Sequence, residues 1–119
     1  MTLLVHTFVY DGDGTSRLLD DPEDGSDMAG FESTRTGLWG SGYTRALGAR
    51  FFPELADGIL RVEPEDIGEF LTECALLGRH TAMLAARGGY WEDYVAVRLA
   101  NITAAARRAR SVGGGVLIW

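Results

Sequence analysis

The chain has 119 residues, and its eleven cationic side chains, all arginine, face seventeen carboxylates for a formal charge of −6. That length fits one compact domain, 1–119, able to bury roughly two thirds of its unfolded surface without staples. With no lysine there is no P-loop lysine, Schiff base, PLP site or Ser-Lys nucleophile, and the single cysteine, Cys74, excludes disulfide frameworks and cysteine-rich zinc sites.

Leu3 to Tyr10 reads as a strand, because Val, Thr, Phe and Tyr favour the pleated conformation. Leu3, Val5, Thr7 and Val9 point one way and Leu4, His6, Phe8 and Tyr10 the other, so the strand is expected to be covered on both faces. Asp11 to Gly30 carries five glycines or prolines among acids and reads as a long flexible loop. Within it, Leu18-Leu19 is a candidate return strand after the Asp11-Gly-Asp-Gly14 turn. Phe31 to Gly42 gives no firm pattern, although a short helix is compatible with it. Ser41 is placed to cap a helix running to about Arg50, with Tyr43, Leu47 and Phe51 at four-residue steps and Pro53 ending it.

Ile59 to Glu63 is a short strand after the Asp57-Gly58 turn. Pro64-Glu65-Asp66 opens the clearest helix, since proline and acids belong in a first turn. Ile67, Phe70, Cys74, Leu77, Thr81 and Leu84 carry it to about Arg87, where Gly88-Gly89 breaks it. A second helix runs from Trp91 to about Arg110, with acids at its start, arginines at its end, and the apolar stripe Trp91, Val95, Leu99, Ile102, Ala106 and Ala109. Val116 to Trp119 is a terminal strand. The expected architecture is α+β: a three- to four-stranded sheet packed against a two-helix antiparallel hairpin plus one shorter helix.

The charge is unevenly placed. Residues 1–32 carry −7, residues 33–78 carry −3 and residues 79–119 carry +4. The overall acidity argues against nucleic acid as a partner and suits a protein partner with a basic surface. Asp20, Asp21, Glu23, Asp24 and Asp27 are the residues expected to meet it. The alternative is a small enzyme or ligand-binding domain that holds an anion at Tyr94, Arg98 and Asn101, which share one helix face. A guanidinium at the edge of that apolar stripe needs a partner, and Glu63 or Glu73 is the expected one. Leu76 and Met83 would widen an apolar patch, and a further alternative is a homo-oligomeric structural or regulatory protein, a homodimer included, with Leu76, Met83 or the final strand as its interface.

No catalytic set is assembled. Asp11-Gly-Asp-Gly14 lacks the later ligands and the helices of a calcium loop, and His6 and His80 show no ligand spacing. Cys74 on an apolar stripe reads as a small buried hydrophobe. No cofactor and no metal are expected. The apolar start lacks the basic residues of a signal peptide, no run is long enough to span a membrane, and a lone cysteine fits a reducing cytoplasm. The missing lysine, glutamine and nearly all asparagine match a GC-rich codon bias.

Leu60-Arg-Val-Glu-Pro-Glu-Asp66 leading into a helix, and the ending Gly113-Gly-Gly-Val-Leu-Ile-Trp119, resemble small acidic single-domain proteins of actinobacteria, immunity proteins among them. That resemblance implies a non-catalytic cytoplasmic protein that neutralises a toxin or nuclease by binding it. It carries no motif from which a site can be transferred.

Overall fold

A nine-residue run rich in Leu, Val, Thr, Phe and Tyr forms the longest strand, β1 (Thr2–Tyr10), in the computed structural model, which describes residues 2–20 and 26–119. β1 is the hub of a five-stranded antiparallel sheet. It pairs with β5 (Gly115–Ile118), and β5 pairs in turn with β4 (Leu60–Val62). β2 (Ser16–Leu18) takes the Phe8–Tyr10 end of β1, and β3 (Met28–Phe31) takes its Thr2–Leu4 end.

The fold is α+β as expected, with one strand more than predicted. That strand, β3, lies in the stretch read as loop. Met-Ala-Gly-Phe has no alternation to announce it. It is held from outside, by the Trp39 indole donating to Ala29 O at 2.9 Å and the Asn101 amide donating to Met28 O at 2.9 Å.

The helical layer is α1 (Gly42–Ala46), α2 (Ile67–Gly78), α3 (Thr81–Gly88) and α4 (Glu92–Val112). A π-helical turn at Arg35–Trp39 and 3₁₀ turns at Phe52–Asp57 and Pro64–Asp66 complete it. The wide π turn brings adjacent Leu38 and Trp39 both into the core. Trp39, Phe52, Phe70 and Phe51 then pack ring to ring at 5.3–5.6 Å.

Three helix expectations need correction. The helix predicted over 64–87 is broken: α2 stops at Gly78, and His80, at φ −130° and ψ 23°, leaves helical space before α3. Gly78, a poor helix former, and His80 weaken the helix there. The break lets Leu84 and Ala85 of α3 bury toward the Arg35–Trp39 turn. The helix after Ser41 ends at Ala46, not Arg50; the Ser41 hydroxyl donates to Leu38 O instead of capping it, and Pro53 opens the Phe52–Asp57 turn instead of ending a helix. Trp91 is not on the α4 stripe. It is the residue just before the helix and is exposed, while Val95, Leu99, Ile102, Ala106 and Ala109 are buried as predicted.

Glu73 joins two distant parts of the chain. Its carboxylate is buried on α2 and accepts backbone N–H bonds from Arg50 (2.5 Å), Phe51 (2.9 Å) and Phe52 (2.8 Å). It therefore satisfies the orphan donors at the start of the Phe52–Asp57 turn.

Cys74, the next residue, is buried as expected, and that burial pushes its thiol up to about 12 from an ordinary value of 9.0. A raised native value means stability is fully present below pH 9 and is lost as pH rises toward 12. Unfolding free energy should fall by up to about 1.4 kcal/mol per pH unit in that window, and Cys74→Ala should remove this component of the slope. Denaturant titrations of both proteins between pH 8 and pH 11 check it.

Candidate functional site

The second face of the sheet is the main departure from expectation. Leu3, Val5 and Thr7 are buried under α4, where the Thr7 hydroxyl donates to Ala105 O at 2.8 Å. The opposite face was expected to be covered too. α4, which packs on β1, lies on its first side, and no other helix makes extensive contact with β1 among the described residues.

Register fixes what that open face displays. Paired residues of antiparallel strands share a face. His6 pairs with Leu117, Leu117 with Arg61, and Phe8 with Leu18. The face therefore carries Leu4, His6, Phe8, Tyr10, Leu18, Arg61, Glu63, Leu117 and Trp119. Tyr10, Leu18 and Trp119 are each 42–46 % exposed.

Its centre is organised by the strands' own side chains. Arg61 lies over the Phe8 ring at 4.1 Å. Its Nε donates to Glu63 at 3.0 Å and a terminal nitrogen donates to the Tyr10 hydroxyl at 3.1 Å, while the Tyr10 hydroxyl donates to the Glu63 carboxylate. The Tyr10 bond, then Glu63, hold the guanidinium's proton affinity above its ordinary value. The Trp119 ring sits 5.8 Å from His6. An aromatic and aliphatic surface with a fixed arginine at its centre has the residue types that dominate protein interfaces.

The sequence carries a signal for this face that the apolar character of both faces of β1 hides. Arg61 and Glu63 alternate with Leu60 and Val62, which marks β4 as half-exposed. β1 looked doubly covered because His6 and Phe8 are indeed buried, by Arg61 and Trp119 instead of by a helix.

Acids stand at one end of this face. The Asp11–Thr15 turn is closed by Asp11 N–H to Thr15 O and by Thr15 donating to the Asp13 carboxylate. Those Thr15 bonds hold Asp13 below its ordinary value, and the hydrogen bond from Arg35 does the same for Glu32. Arg17 pairs with Asp11 at 3.0 Å. Of the predicted partner-binding acids, Asp20 is exposed after β2, and Asp27 is half-buried, its carbonyl accepting from Val5 N–H at 2.7 Å. Asp21, Glu23 and Asp24 lie outside the described residues.

The second predicted set does come together, mainly around β3. The Tyr94 hydroxyl accepts from Phe31 N–H at 2.7 Å, its ring stacks on Phe31 at 5.2 Å and on Tyr90 at 5.7 Å, and Asn101 holds Met28 O. Arg98 lies 5.1 Å from the Tyr94 ring. The expected pairing of Arg98 with Glu63 or Glu73 does not occur, because Glu63 serves Arg61 and Tyr10 and Glu73 serves the backbone at 50–52. Arg98 Nε is buried without a hydrogen-bond partner among the described residues. Leu76 and Met83, expected to form an outer patch, pack against the core instead.

A groove of about 500 Å³ runs along the outer side of α2 and α4, between Leu71, Ala75 and Gly78 on one helix and Ala96, Ala100, Thr103 and Arg107 on the other. Among the described residues no three His, Cys, Asp or Glu side chains are grouped so as to hold a metal ion, and no helix is long and apolar enough to cross a membrane. Neither a protein-family model, nor a curated protein, nor a solved structure matches this chain.

Proposed function

We propose that this protein is a non-catalytic binding module, immunity-like in character, whose open sheet face docks on a partner protein with a basic rim. The observation that carries the reading is that face: apolar and aromatic at Tyr10, Leu18, Leu117 and Trp119, without a helix over it, and flanked by the acidic turn at Asp11–Asp13. An apolar centre supplies affinity and a charged edge supplies encounter rate and selectivity. The acids at 20–27 fall in the separate connection between β2 and β3 and add to the negative charge of this first third of the chain. An anion held by Tyr94, Arg98 and Asn101 has less support, since Tyr94 and Asn101 already commit polar atoms to β3.

The two halves of the surface should fail differently. A partner is co-purified from the native host, and its binding to the purified protein is then followed kinetically. Neutralising Asp20, Asp21, Glu23, Asp24 and Asp27 together should slow association about tenfold or more and flatten its salt dependence. Trp119→Ser should leave association nearly unchanged and speed dissociation by a similar factor. Binding that survives both variants unaltered defeats the proposal.

A further inference from the structure

The outer line of α4 has a pattern that neither its packing nor the sheet face explains. Asp93, Ala96, Ala100, Ala104 and Arg107 follow one another at three- and four-residue steps along the side facing away from the core, and all five are exposed. Such a solvent face is ordinarily charged throughout. Here charge is confined to the ends, acid at the start and arginine at the finish, and Val97 beside the line is 55 % exposed. Helix-dipole compensation accounts for the ends and not for the uncharged middle. Neither Asp93 nor Arg107 has an ion-pair partner among the described residues.

The spacing is symmetric about Ala100. Asp93 and Arg107 lie seven positions before and after it, Ala96 and Ala104 four, and Val97 and Thr103 three. A second α4 laid antiparallel across Ala100 would set Asp93 against Arg107 twice, Ala96 against Ala104 twice, and Ala100 against itself on the twofold. An isologous interface requires this self-complementarity. Small side chains let the backbones approach closely, and the groove beside α4, bounded by Leu71, Ala75 and Gly78 of α2, offers room for the incoming helix.

From this complementarity we infer that the chain forms a twofold dimer through α4, with a second copy's α4 antiparallel to its own at Ala100. The contact lies on the opposite side of the molecule from the open sheet face. The dimer therefore presents two outward-facing sheets, and the inference stands independently of what they bind.

Sedimentation equilibrium of the full chain from about 1 to about 500 µM tests it. The parent should be dimeric in the upper part of that range, and Ala100→Glu, which sets two like charges on the axis, should be monomeric throughout. Asp93→Arg and Arg107→Asp should each weaken the dimer about tenfold, and the two combined should restore it to within a few fold of the parent. Ala100 is exposed, so Ala100→Glu should leave circular dichroism unchanged and, at concentrations where the parent is monomeric, melting as well, whereas the charge reversals at the helix ends should lower melting slightly by opposing the dipole. A parent that stays monomeric at the top of the range overturns the inference. So does a dimer indifferent to Ala100→Glu, a charge swap with no recovery, or a dimer that Trp119→Ser dissociates in place of Ala100→Glu.

Discussion

Replacing Glu73 by alanine is expected to lower the unfolding free energy by about 3–5 kcal/mol, seen as a lower urea midpoint at unchanged slope. The carboxylate is 7 % exposed and receives the backbone N–H groups of three consecutive residues, Arg50, Phe51 and Phe52. Alanine leaves those donors without an acceptor beneath the aromatic core, and each buried orphan costs about 1–3 kcal/mol. A groove lined by Gly48, Arg50, Glu69 and Thr72 adjoins the site, so water can reach part of it and the costs will not simply add. Glu73→Gln keeps one carbonyl oxygen and should lose about half as much. A domain of this size has about 5–15 kcal/mol in total, so the alanine variant should approach the threshold of folding at 37 °C. A loss below about 1 kcal/mol in alanine would mean that the three N–H groups are satisfied some other way.

The glycine run leading into β5, Gly113 to Gly115, should give the next largest effect, and an uneven one. Gly113 ends α4 with φ +69°, and a Cβ there would meet open space. Gly113→Ala should therefore cost about 1 kcal/mol, the ordinary penalty for a left-handed alanine. Gly115 is different. A Cβ there would fall 2.3 Å from the Val62 carbonyl oxygen and 2.4 Å from the Phe8 ring. The backbone of β4 and the centre of the open sheet face would both have to move. Gly115→Ala should cost about 3 kcal/mol or more and should also disturb the Arg61 stack on Phe8. At Gly114 a Cβ would lie 2.1 Å from the Phe8 carbonyl oxygen, so the same ranking applies there. Denaturant midpoints of the three alanine variants check the order. If Gly113 proved the most sensitive, close approach would not be the reason for the run.

Much of the framework was legible from local pattern. β1, β4 and β5 are legible from β-favouring residues and from the turn or glycine residues at their ends, and α2 and α4 from their 3.6-residue stripes and charged termini. β3 was not legible, because four residues without alternation become a strand only when Trp39, Tyr94 and Asn101 hold them against β1. The break at His80 was missed for a related reason. The stripe Ile67 to Leu84 is continuous by count, and only the position of the Arg35–Trp39 turn draws α3 out of line. Of the candidate site, the acidic turn was visible in composition. Arg98 stands out in the sequence as a guanidinium at the edge of an apolar stripe, but the carboxylates expected to pair with it, Glu63 and Glu73, are engaged elsewhere.

The sequence alone determined the excluded chemistries, the acid concentrated in the first third, the α+β class and the two main helices. Each of these depends on residue identities or on periods read within a short window. The tertiary structure decided which sheet face stays open, what Glu73 holds, and that the described residues of the chain leave the outer side of α4 uncovered. Those outcomes turn on pairings such as Val5 with Ile118 and Arg61 with Leu117, between segments far apart in the chain. A residue's own pattern shows that it has two faces, and only its distant neighbours settle which of them is covered.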